Sequence, residues 1–128
     1  MPLMTPFLTL RAFRELFRFD LLILRSDFAT LYETVRRCSL GKRRTTTRDV
    51  EAVTLSIDMA CIWYWKEVLC LQRSAATVCL LKQLGVPAQL VIGAQQMPFK
   101  AHAWVELHGR VINDKSYTPE MYAVLDRC

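Results

Sequence analysis

Residues 70–114 read CLQRSAATVCLLKQLGVPAQLVIGAQQMPFKAHAWVELHGRVIND, and the change of periodicity inside this stretch decides the fold class. From Cys70 a helical pattern runs through Leu81 and Leu84 and stops at Gly85 and Pro87, a glycine followed closely by a proline that cannot continue the helix. Beyond it, residues 88–94 (AQLVIGA), 101–107 (AHAWVEL) and 110–114 (RVIND) are short, rich in β-branched residues and bounded by Gly, Pro or Asp. That pattern predicts three strands. Helices first and an antiparallel sheet last make an α+β architecture, with the helix starting at Cys70 in front of the sheet.

Upstream, Phe7, Leu10, Phe13 and Phe17, then Phe28, Leu31 and Val35, recur every three or four residues with Arg11, Arg14, Arg18 and Arg36 between them. This is the spacing of amphipathic helices. Ser26-Asp27 offers a cap for a second helix, so two helices are expected, joined near residues 20–25. The segment Ser39–Arg48 groups Lys42, Arg43, Arg44 and Arg48 around Gly41 and three threonines. It buries nothing and predicts an exposed linker, a solvated loop that also suits an acidic partner. Asp49 is the expected cap of a third helix whose apolar stripe is Val50, Val53, Ile57 and Ala60. The aromatic run Trp63-Tyr64-Trp65 interrupts the pattern before Cys70 and reads as packing, with a substrate groove or partner contact as the sharper alternative.

The composition narrows the options. At 128 residues there is room for one core, so a single domain is expected, with a helical part over about 1–66 and a catalytic core over about 67–128. The N-terminal MPLMTPFLTL lacks a basic region before its apolar residues and is interrupted by Pro2 and Pro6, which predicts neither a secretory signal nor a membrane span, and a cytoplasmic location. Five cysteines, an odd number, are then expected as reduced thiols. They contain no CxxC, and His102 and His108 are not at zinc-finger spacing from any pair, so no metal and no cofactor are expected. Lys+Arg 17 against Asp+Glu 12 gives a net charge of +5, but the charge is spread over the helices without aromatic platforms, which argues against nucleic acid. No phosphate-cradling glycine loop argues for nucleotide use.

Three residues can carry chemistry. A three-residue loop Leu107-His108-Gly109, with Gly109 left-handed in a G1 bulge, pairs Glu106 with Arg110, Val105 with Val111 and, counting back, His102 with Asp114. Opposed side chains share a face, so the Asp114 carboxylate can accept from one imidazole nitrogen and leave the other for a nucleophile. A two-residue loop would instead set Asp114 opposite Ala103. Of the cysteines, Cys70 has the best context: at the first turn of a helix, unpaired N–H groups and the helix dipole favour a thiolate, and its own N–H can stabilise an oxyanion. Cys79 falls among Val78, Leu80 and Leu81 and reads as core, and Trp104 as core on the face of Ile112. The plainer readings are a buried thiol at Cys70, a backbone-bonded strand histidine at His102 and a turn aspartate at Asp114. Together those would leave the paired register unexplained.

The elements Cys-Leu-x-Arg-Ser at 70–74, Leu-Gly-Val-Pro-Ala at 84–88, Leu-Val-Ile-Gly at 90–93 and His-Ala-Trp-Val-Glu at 102–106, followed by Gly-Arg-Val-Ile-Asn-Asp, closely resemble the leader peptidases of lasso-peptide biosynthesis, which are transglutaminase-like cysteine enzymes. The resemblance is strong over about 45 residues and extends to residues 9–60 only in length and character. It implies Cys70 as nucleophile, His102 as base and Asp114 as the orienting carboxylate. It also implies a ribosomally made precursor peptide as substrate, a separate leader-binding recognition protein as in the split form of the family, and an ATP-dependent lasso cyclase acting afterwards.

Three functions compete. In a cysteine endopeptidase Cys70 attacks the scissile carbonyl, His102 handles the proton and water hydrolyses the thioester. An acyl transferase passes the same thioester to an amine. A noncatalytic scaffold subunit would retain the three residues only as a relic.

Overall fold

The computed structural model describes residues 5–25, 27–41, 47–96 and 98–128. Ser26 and most of the basic segment, residues 42–46, lie outside them. Four main helices, α1 (Thr5–Arg25), α2 (Phe28–Arg37), α3 (Thr47–Trp63) and α4 (Cys70–Gln83), precede a sheet of β1 (Gln89–Gln96), β2 (Phe99–Leu107), β3 (Arg110–Val111) and β4 (Ala123–Arg127), with a one-turn helix α5 (Thr118–Met121) before β4. The order across the sheet is β3-β2-β1-β4, and every pairing is antiparallel. The α+β class read from residues 70–114 is the observed one.

The helix boundaries follow local chemistry. Asp27 caps α2, its Oδ1 accepting from the Thr30 N–H at 2.9 Å. α4 ends at Leu84, where Gly85 takes φ 86°. α3 begins at Thr47 rather than after Asp49, so Asp49 lies in its first turn, where a carboxylate still meets the positive end of the dipole.

On α1 the periodicity picks the wrong stripe in part. Phe7, Leu10 and Phe17 are exposed, whereas Leu8, Ala12, Leu16 and Phe19 are buried. The helix carries two apolar stripes, and the buried one also holds Glu15 and Asp20, whose carboxylates find partners inside: Gln83 donates to Glu15, and Tyr64 and Lys66 reach Asp20. These α1 residues form one apolar cluster with Leu31 and Val35 of α2, Val53, Ile57 and Ala60 of α3, the length of α4 from Ala75, and Leu90, Ala103 and Val105 of the sheet.

Three further expectations are corrected. The β2–β3 register is Glu106↔Val111 and Leu107↔Arg110. The loop is therefore the two residues His108 and Gly109, at φ 51° and 78°, the left-handed pair that a tight hairpin matching strand twist requires. This register opposes Ile112 to Val105, so Trp104 does not share a face with Ile112. Trp104 is fully buried, but on the sheet face away from the helices. Cys38 and Cys79 are joined as a disulfide with Cα atoms 5.8 Å apart, because the end of α2 packs on the middle of α4; neither is the reduced thiol expected. β4 and α5 are additions that the sequence reading did not contain. Among the described residues, no helix is long and apolar enough to cross a membrane.

Candidate active site

Cys70 opens α4. The residue before it, Leu69, stands at the N-cap with extended backbone and makes no side-chain capping bond, so the first amides of α4 are left without the usual side-chain acceptor. The next turn is fastened on three sides. The Gln72 Nε2 donates to Leu16 O of α1 at 2.8 Å, Arg73 pairs with Asp58 of α3 at 2.6 Å, and the Ser74 hydroxyl donates to Ala103 O of β2 at 3.2 Å. Consecutive residues thus tie the start of α4 to three different elements.

His102 and Asp114 meet, though not by the register first expected. After Val111 the chain leaves the sheet: Ile112 N–H still donates to Val105 O at 3.0 Å, but the Val105 N–H is accepted by the Asn113 side-chain Oδ1 at 2.7 Å. This bend carries Asp114 past its ladder position opposite Ala103 and puts its Oδ2 2.6 Å from His102 Nε2. An ionised carboxylate only accepts, so Nε2 carries the hydrogen and Nδ1 is left as the acceptor. Both side chains are partly open, at 24% for His102 and 28% for Asp114. Burial pushes the Asp114 carboxyl up, but the hydrogen bonds from His102 and the Lys115 N–H and the charges of His102 and Arg73 outweigh it and hold it below the ordinary range.

Cys70 is exposed at its sulfur-bearing end of α4, and with His102 it lines one cavity of about 160 Å³, together with Phe28, Leu71, Ile92 and two alanines of β2. The lining is mostly apolar. Behind His102, Trp104 and Tyr122 stand with ring centroids 6.0 and 5.3 Å from the imidazole. Gly93, paired with His102 across β1 and β2, makes this possible: a Cβ there would lie 2.6 Å from the Trp104 ring and 2.9 Å from Tyr122 Cβ. The Trp104 Nε1–H donates to buried Glu106 at 2.9 Å, and Glu106 in turn pairs with Arg127 of β4 at 3.2 Å.

The structure therefore brings His102 and Asp114 into contact and sets Cys70 on the same cavity. Sequence reasoning missed Ser74, Asn113, Gly93 and Tyr122. The only signal available for Asn113 was its place beside Asp114 at the end of a strand, where Asn commonly makes side-chain bonds to backbone. The aromatic run divides: Tyr64 is buried, while Trp63 and Trp65 are 73% and 71% exposed.

A helix that opens on a cysteine, laid against an antiparallel sheet that presents a histidine–aspartate pair, fits one class of fold: the chain belongs to the transglutaminase-like superfamily, whose sequence profile matches residues 13–127. It is also similar to the microcin J25-processing protein McjB of Escherichia coli, with 47% identity over 45 residues. That alignment covers 35% of this chain and 22% of McjB. No solved structure matches the chain.

Proposed function

We propose that this protein is a cysteine endopeptidase that cuts the leader from a ribosomally synthesised precursor peptide of the lasso class. The observation that carries the reading is the 2.6 Å contact of His102 Nε2 with Asp114 on a cavity that also holds Cys70. The similarity to a microcin-processing protein supports a peptide as substrate.

Cys70 Sγ attacks the scissile carbonyl as its proton passes to His102 Nδ1, and the N–H groups at the start of α4 face the developing oxyanion. The imidazolium, stabilised and oriented by Asp114, protonates the leaving amine, and a thioester remains on Cys70. His102 then takes a proton from water, which attacks the thioester and releases the leader carboxylate and the thiol. A separate leader-binding protein presents the substrate, and an ATP-dependent cyclase closes the freed core peptide. No cofactor or metal enters this scheme.

The test is mass spectrometry of a precursor peptide incubated with the protein, with and without the leader-binding protein, beside Cys70→Ala. A single cut that vanishes with Cys70→Ala while partner binding persists is the expected result. Cleavage by Cys70→Ala would overturn the nucleophile assignment. An amine adduct in place of the free leader carboxylate would make the protein an acyl transferase, and an intact peptide in every tube would leave it a scaffold.

A further inference from the structure

We infer that Ser74 and Asn113 are positioning residues that together form a side-chain strut, replacing the missing rungs between β2 and β3 and setting Cys70, His102 and Asp114 relative to one another. The inference rests on the peptidase reading above and adds residues to it.

β3 pairs with β2 only at Arg110 and Val111, and the last main-chain bond on that edge is Ile112 N–H to Val105 O. The next donor of the edge, the Val105 N–H, and the next acceptor, the Ala103 carbonyl, would normally meet a continuing strand. Side chains meet them instead. The Val105 N–H donates to Asn113 Oδ1 at 2.7 Å, Asn113 Nδ2–H donates to Ser74 Oγ at 3.1 Å, and the Ser74 hydroxyl donates to Ala103 O at 3.2 Å. The chain runs in one direction only, because the backbone N–H at one end fixes the amide oxygen and the carbonyl at the other end takes the single hydroxyl hydrogen.

Each link stands one step from a proposed catalytic group. Ser74 is one turn beyond Cys70 on the same face of α4. Ala103 follows His102, and Asn113 precedes Asp114. Ser74 is buried, and neither Ser74 nor Asn113 lines the cavity, so they act through their neighbours and not on the substrate. The helix is already held to α1 and α3 through Gln72 and Arg73, which leaves its distance from the strand edge as the coordinate the strut fixes.

The experiment needs no substrate. Alkylation of Cys70 by iodoacetamide is followed by site-resolved peptide mass from pH 5 to 9 in the whole protein, with thermal melts in parallel. The variants are His102→Ala, Ser74→Ala, Asn113→Asp, their double Ser74→Ala/Asn113→Asp, and Val35→Ala, a core truncation on α2 that lowers the melting temperature without touching the strut. Asn113→Asp keeps an acceptor for the Val105 N–H, removes the donor to Ser74 and adds a negative charge, so Ser74→Ala, which breaks the same link without a charge, is the variant that isolates the strut.

At pH 6 the wild-type thiol is expected to react at least tenfold faster than in His102→Ala. Ser74→Ala and Asn113→Asp should each lose at least fivefold of that rate, the double no more than the larger single loss, and Val35→Ala less than twofold. Strut variants within twofold of wild type, a double variant equal to the product of the singles, or an equal loss in Val35→Ala would overturn the inference. A wild-type thiol no faster than that of His102→Ala would overturn the peptidase reading and the strut with it, whereas a fast wild type with unaffected strut variants overturns the strut alone.

Discussion

Two aspartates in this protein are built alike and differ in what surrounds them. Asp20, on α1, accepts from the Tyr64 hydroxyl at 2.8 Å and pairs with Lys66. Asp114, beyond β3, pairs with His102 at 2.6 Å and accepts from the Lys115 N–H. Burial pushes both carboxyls up and their bonds outweigh it, so both are held below the ordinary carboxylate range. Burial and Asp20 together push the Tyr64 hydroxyl up to about 12. Yet Asp20 is 4% exposed and held between a tyrosine hydroxyl and a lysine, whereas Asp114 is partly open and bound to an imidazole at the edge of a cavity. On the proposed reading the same carboxylate motif is a fastening in one region and an orienting group in the other, and the partner's chemistry is what separates them.

The largest effect that separates them is expected from Asp114→Asn, which should lower kcat on the order of 10³-fold, since an amide no longer fixes the tautomer of the imidazole. Its melting temperature should shift little. Asp20→Asn should do the reverse, losing about 2 kcal/mol of stability because the buried charge-assisted bonds of Asp20 to Lys66 and Tyr64 are weakened, with kcat per folded molecule unchanged. Denaturant titration beside single-turnover kinetics measures both, and a matching loss of kcat in Asp20→Asn would erase the distinction.

Next in size is Gly93→Ala. The added Cβ falls 2.6 Å from the Trp104 ring, so overpacking should cost about 1–3 kcal/mol and displace the ring that stands tilted beside His102. Reduced stability together with reduced kcat is expected; reduced stability alone would show that Trp104 packs without guiding the imidazole.

Acid provides a smaller effect. A carboxyl held lower in the folded state contributes stability that is complete above its unfolded value of about 3.9 and is lost as pH falls through the folded value. Melting temperatures between pH 5 and 2.5 should therefore fall with decreasing pH below about 4, and less steeply in Asp20→Asn. The smallest effect belongs to Trp63→Ala. Its side chain is exposed, and the change should stay within about 0.5 kcal/mol by thermal melting.

Much of this organisation is legible in the sequence because it rests on periodicity and punctuation. Gly85 and Pro87 end α4, Asp27 caps α2, and the β-branched runs after residue 88 mark β1 and β2. What escapes is whatever depends on choosing between two locally equivalent options. α1 has two apolar stripes, and only the tertiary partners of Glu15 and Asp20 say which one goes inside. The hairpin admits a two- or a three-residue loop, and His108 taking a left-handed conformation selects the shorter. The contact of His102 with Asp114 was expected for a ladder that does not form; it arises from the bend at Asn113, whose bonds join residues 8 and 39 positions away and leave no local pattern. β4, five residues that are mostly exposed, has no apolar alternation strong enough to announce it.

Leu69 carries a consequence for anyone who would engineer this protein. Serine or aspartate at a helix N-cap contributes about 0.5–2 kcal/mol relative to residues that cannot cap, so a search for thermostable variants should readily return Leu69→Ser or Leu69→Asp. Either would seat an acceptor on the amides beside Cys70, and Leu69→Asp would add a negative charge where the proposed mechanism needs a thiolate. If Cys70 is the nucleophile, the residue that leaves α4 uncapped marks a point where hardiness and reactivity trade against each other, and gains in heat tolerance found there should be checked first for a slower Cys70 thiol.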